Sequence, residues 1–182
     1  MNASENAPAR KRPGLLESIA GFLDTINMAI GLSVRWLALL MVLVEFGIVL
    51  LRYFFGFSYI WLNESVLYMH GTLFMLGAGY TLLVDEHVRV DIFYSRASAR
   101  GKALIDTFGH LFLLLPSMIV LLYWSWPSVR RSWSVLEGSI SVGGIPASFL
   151  LKSLIPAFAV LLIVQAVARL LRDLVRLADG ES

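Results

Sequence analysis

The chain has 182 residues, no cysteine, a formal net charge of +2 and a hydrophobic content of 58%, above the roughly 45–50% typical of a soluble domain. Its mean hydropathy of +0.74 makes the bilayer the expected solvent, and the absence of thiols excludes disulfides, thiolate metal sites and cysteine nucleophiles. The 15 Lys and Arg residues lie between apolar runs rather than along one basic face, which argues against a nucleic-acid partner and makes them reporters of topology.

Residues 1–14 read as a polar tail carrying Arg10, Lys11 and Arg12. Over 15–32, Leu15, Leu16, Ile19, Phe22, Leu23, Ile26 and Ile30 recur at helical spacing, while Glu17, Asp24 and Asn27 interrupt any continuous apolar core. That pattern predicts an amphipathic interfacial helix rather than a signal peptide. A helix packed on partner protein fits it equally.

A spanning helix needs about 20 mostly apolar residues, and four windows reach that length: 33–55, 65–84, 103–126 and 149–171. The predicted fold class is an all-α membrane protein, with four transmembrane helices in a domain over 33–174, the interfacial helix before it and a tail over 175–182. Trp36, Trp61, Trp124, Trp126 and Trp133 fall near the span ends, where an indole bridges hydrocarbon and headgroups.

Orientation follows from the basic flanks. Arg10, Lys11 and Arg12 precede the first span, Arg89, Arg96, Arg100 and Lys102 separate the second and third, and Arg172 and Arg176 follow the fourth. The other side holds only Arg130, Arg131 and nearby Lys152, so both termini are predicted to be cytoplasmic. Between the second and third spans, Val88, Val90 and Ile92 alternate with Arg89 and Asp91, the pattern of a short extended or interfacial segment. Ser98 is placed to cap the third helix. Gly143, Gly144 and Pro146 mark a turn before the fourth, and Pro116 and Pro156 predict kinks inside their spans.

Charged groups within a membrane helix are candidates for function. Glu45 lies near the middle of the first span, and Arg52 follows seven residues later on the same face, about 10 Å along the axis and too far to pair directly. Glu45 therefore faces another helix or chain, either as a proton or cation site or, more simply, as a polar contact at a helix interface. Glu64 opens the second span, where a carboxylate caps the helix, and Arg52 across the outer turn is a candidate partner that would fasten the first hairpin.

His70 and His110 are candidate haem ligands, but their positions along opposite-running spans differ in depth by roughly 10 Å, which disfavours one shared iron. His87 sits with Asp85, Glu86 and Asp91 in a polar connection better read as solvated than as a metal site. Gly71, Gly77, Ala78 and Gly79 offer a surface for close helix approach. No Walker loop, dinucleotide fingerprint or nucleophile elbow occurs, so no enzymatic activity and no bound cofactor are expected.

The run Leu51-Arg52-Tyr53-Phe54-Phe55-Gly56-Phe57-Ser58 followed by Trp61-Leu62-Asn63-Glu64 resembles the first hairpin of the DctQ-like small membrane subunits of tripartite ATP-independent periplasmic (TRAP) transporters. His87-Val88-Arg89-Val90-Asp91, Gly143-Gly144-Ile145-Pro146 and Lys152-Ser153-Leu154-Ile155-Pro156 extend the resemblance over roughly 31–174. Asn63-Glu64 stands where many members carry two acidic residues, so only Glu64 carries over.

The resemblance implies a scaffold subunit in a bacterial inner membrane. Its partners would be a large membrane subunit, which moves organic anions by an elevator-like motion driven by a sodium gradient, and a periplasmic substrate-binding protein. On that view Arg52, Trp61 and Glu64 order the outer hairpin, Glu45 faces the large subunit, and Arg130, Arg131 and Lys152 are a docking set for the binding protein or else a solvated loop. Two rival classes are a self-sufficient, proton-coupled homo-oligomer using Glu45 and a haem-bearing membrane anchor.

Overall fold

The computed structural model describes residues 14–86, 98–139 and 141–178. Among the described residues the fold is all-helical: α1 (Leu15–Val34), α2 (Trp36–Phe55), α3 (Ile60–Leu83), α4 (Ala99–Phe108), a π-helical segment (Gly109–Leu114), α5 (Leu115–Ser134) and α6 (Ser148–Ala178). Four helical stretches among the described residues are long and apolar enough to cross a membrane: Leu15–Phe55, Ile60–Leu83, Leu104–Ser134 and Ser148–Val175. The alternating segment at Val88–Ile92, with His87, Arg89 and Arg96, lies outside the described residues, as do the first 13 residues.

Helix α6 is the hub, packed against α5, α3 and α1. Its buried face is built from Ala159, Leu161, Leu162, Ala166 and Ala168, and the small residues among them let neighbouring backbones approach closely. Helix α2 is peripheral and leans mainly on α3, with Ile48 its buried residue.

Helix α1 forms where the periodicity predicted a helix, but it packs the other way round from the usual amphipathic helix. Ala20, Asp24, Asn27, Gly31 and Val34 are the buried stripe, while Leu15, Leu16, Ile19 and Phe22 point outward. The residues that read as interruptions are the packing face, because α6 supplies polar partners for them. Asn27 Nδ2 donates to Gln165 Oε1 at 2.9 Å and to the Leu161 carbonyl at 3.3 Å. Gln165 Nε2 donates to Asp24 Oδ1 at 2.8 Å, and Arg172 pairs with the other Asp24 oxygen. Gly79 of α3 lies against the Asn27 carboxamide, and Gly31 lies against the Tyr80 side chain; a Cβ at either position would collide with its neighbour. The small residues noted in the second span thus serve helix approach at Gly79 and also at Gly71, which faces Leu151 and Leu154.

Several helix ends differ from the hydropathy windows. Helix α3 begins at Ile60, so Glu64 stands more than a turn inside it and does not cap it; the N-cap position is Tyr59. The third stretch stays helical through Pro127 to Ser134, which places Arg130 and Arg131 on a helix rather than in a loop. Val129 and Ser132 bury themselves beyond the proline, and that packing outweighs one lost backbone bond. At Pro116 the chain answers differently. The preceding turn widens to π-helical register over Gly109–Leu114, which relieves the clash between a proline ring and the carbonyl four residues earlier. Ser98 caps α4 as predicted, accepting from the Gly101 amide at 3.2 Å.

Candidate functional site

The motif residues at the end of the bundle that holds the α5–α6 loop converge on two polar nodes. In the first, the Glu64 carboxylate of α3 accepts from Ser139 Oγ at 2.8 and 3.0 Å and from the Ile145 amide at 2.6 Å. Ser139 Oγ in turn accepts from the Ser141 amide at 3.0 Å. Gly143 turns the chain at φ +83°. Gly144 passes so close to Glu64 and Ser139 that a Cβ there would strike both, and the turn delivers the Ile145 N–H onto the carboxylate. The sequences Asn63-Glu64 and Gly143-Gly144-Ile145-Pro146, about 80 residues apart, are two halves of one contact.

The second node closes the end of α5. Glu137 accepts from Lys152 Nζ at 2.7 and 2.5 Å and from Ser132 Oγ at 2.5 Å, while its own amide donates to the Ser132 carbonyl at 3.0 Å. These bonds hold Leu136 at φ +45°, a conformation that a bulky residue keeps only when its surroundings enforce it. Beside them, Trp133 Nε1 donates to Ser153 Oγ at 2.8 Å and the Trp133 ring meets Phe149 edge-on at 4.7 Å. Lys152 and Ser153 are adjacent on α6, so this helix start is tied to the end of α5 twice.

The Lys152 ammonium and the Ser132 hydroxyl hold the Glu137 carboxyl below its ordinary value of 4.5. A depressed folded-state pKa means that the pair's contribution is complete above the unfolded value and disappears as pH falls through the folded one. The difference in thermal midpoint between wild type and Glu137→Gln should therefore stay constant from pH 8 down to about 5 and shrink below about 4.5. A difference that instead grows on acidification would contradict the pairing.

The pairing predicted between Arg52 and Glu64 is not formed. Glu64 is engaged by Ser139 and Ile145, and Arg52 is exposed. The residue orders the loop before α6, not the first hairpin, because that loop brings it an N–H and an O–H within reach. The hairpin itself turns at Gly56, φ +68°, whose amide and that of Phe57 bond back to Arg52 and Leu51 carbonyls. Trp61 is exposed at the end of a row of tilted rings, Phe57, Tyr59 and Trp61. Lys152 is taken up by Glu137, which separates it from the exposed Arg130 and Arg131. Glu45 is exposed on α2 among exposed Val42, Phe46 and Val49.

His70 faces outward, stacked on Phe74 of its own helix at 6.3 Å, whereas His110 is buried in the π-helical segment. The two imidazoles occupy different surroundings and share no site.

Two polar residues of the fourth span escaped the sequence reading. Gln165 is the centre of the α1 lock, and Arg169 reaches across to accept the burden of ending α3. Its Nη2 donates to the Leu82 and Leu83 carbonyls at 2.9 Å each and pairs with Asp85 at 3.4 Å. The signal for both was a polar side chain inside an otherwise apolar run.

Compared with known protein families, residues 40–176 match DctQ, described as the DctQ component of tripartite ATP-independent periplasmic transporters. The chain belongs to the DctQ family. The match covers both polar nodes, all of α3 to α5 and most of α2 and α6. The comparison with curated proteins found no match. As a DctQ component the chain is the small subunit of a TRAP transporter, not an enzyme, and a multi-pass protein of the inner membrane.

Proposed function

We propose that this DctQ subunit is the stationary scaffold of a sodium-driven secondary transporter for organic anions. Its large partner subunit carries the substrate and ion sites and moves them by an elevator-like motion, a periplasmic binding protein delivers the substrate, and both termini of the DctQ subunit lie in the cytoplasm. The family supports the assembly. The observation that carries the scaffold role is the bare face of α2, where the Glu45 carboxylate stands exposed on a helix whose neighbours are apolar and exposed. A carboxylate turned to lipid tails is strongly unfavourable, so that face belongs against protein that offers a donor or a cation. The large subunit is the partner that fits.

The test is co-purification of the large subunit with the tagged DctQ chain. Glu45→Leu strands the facing donor, a loss of about 1–3 kcal/mol, and should lower the recovered large subunit by about tenfold. Glu45→Gln, which still accepts a hydrogen bond, should lose less. Wild-type recovery with Glu45→Leu would show that the residue faces lipid or solvent, and failure of the wild-type chain to bring down a large subunit would overturn the scaffold reading itself.

A further inference from the structure

An apolar trough runs along α5, and one of its hollows lies between α5 and α6. Three adjoining hollows of about 380, 570 and 600 Å³ share Trp126 as a common wall. On the α6 side the floor is formed by Ser153, Pro156, Ala157 and Val160, small or compact residues that leave a hollow beside the bulky α5 wall. Two of the hollows are lined by α5 alone, from Ile119 to Ser134; the one between the helices has an α5 wall from Leu122 to Trp133, about 16 Å of helix. That distance reaches from the middle of the hydrocarbon, itself about 30 Å thick, into one headgroup layer.

The trough ends on charge. Arg130 lines the largest and the smallest of the three hollows, and Arg131 joins it in the smallest. Both arginines are exposed, and neither has an ion-pair partner among the described residues. The nearby acid, Glu137, is occupied by Lys152 and Ser132. Trp126 and Trp133 bracket the two guanidiniums at the level where indole rings mark the bilayer boundary. A partner helix would fill the apolar length and leave the charges unanswered, and a soluble protein would meet the charges and leave the trough empty. One molecule with an acyl chain and a phosphodiester answers both, since guanidinium binds phosphate oxygens through paired N–H donors. We propose that the trough holds one anionic phospholipid, its acyl chain along Pro156 to Val160 and its phosphodiester on Arg130 and Arg131.

Native mass spectrometry of the delipidated full chain, titrated with phosphatidylglycerol or with phosphatidylcholine of the same acyl chains, tests this. Phosphatidylglycerol should occupy the wild type at about one-tenth of the concentration that phosphatidylcholine needs, a difference of about 1.4 kcal/mol. Arg130→Gln with Arg131→Gln should bring the two lipids to parity, while Arg52→Gln, which removes another exposed guanidinium, should leave the preference intact. Equal binding of the two lipids by the wild type, or a preference that survives the double variant or disappears in Arg52→Gln, overturns the proposal. Soluble glycerophosphoglycerol should fail to compete; competition at the lipid's own concentration would reduce the site to an anion contact and remove the acyl chain from it. A double variant that keeps its lipid preference but no longer binds the periplasmic protein would make the arginines a protein-docking patch instead.

Discussion

Replacing Gln165 with leucine is expected to lower the thermal midpoint of the subunit in mild detergent by on the order of 5–10 °C. Gln165 is fully buried and holds two residues of α1 at once, accepting from Asn27 and donating to Asp24. Leucine matches its size and suits the surrounding apolar run, so the transfer of the side chain itself is favourable. The loss arises at the partners: a buried donor on Asn27 and a buried acceptor on Asp24 are stranded, at about 1–3 kcal/mol each.

The sign can be checked by a second substitution. Replacing both members of a hydrogen-bonded pair by apolar groups is far less damaging than replacing one, so Asn27→Leu added to Gln165→Leu should recover part of the loss. Asp24 keeps its ion pair with Arg172 in that background. A double variant as unstable as the sum of the two singles would mean that the pair is not coupled and that α1 is held by apolar contacts.

Glu64→Leu is the second large effect, and it is local. It leaves the Ser139 hydroxyl and the Ile145 amide without their acceptor. Hydrogen bonds to a charged group are stronger than neutral ones, though solvent weakens them at a partly exposed carboxylate, so opening of the loop between α5 and α6 becomes easier by roughly tenfold. Cleavage of that loop by a broad-specificity protease should accelerate by a similar factor, because cleavage of a briefly opened segment follows the open population when reclosing is fast. Ser139→Ala removes only one of the two contacts and should give a smaller acceleration. An unchanged cleavage rate in Glu64→Leu would mean that Gly143 and Pro146 fix the loop without the carboxylate.

The four apolar stretches, the helical periodicity before them and the Ser98 cap were all written in the sequence, because each depends on local composition and spacing. Hydropathy fixes how much chain a bilayer can hold, and a cap needs only its own first turn. The family resemblance was legible for the same reason, as runs of neighbouring residues whose order along the chain survives without any knowledge of the fold.

What each motif is for depended on the tertiary structure. Asp24 and Asn27 read as flaws in an amphipathic pattern until Gln165, some 140 positions away, turned them into the buried face of α1. Glu64 suited a helix cap or a partner in Arg52, both near it in sequence, yet its donors come from Ser139 and Ile145. Lys152, grouped with Arg130 and Arg131 by charge and position, is drawn away by Glu137. In each case the deciding contact joins residues on different helices. A polar side chain in an apolar setting announces that it needs a partner, because an unsatisfied buried group is unfavourable; only the packing of the helices determines which partner arrives.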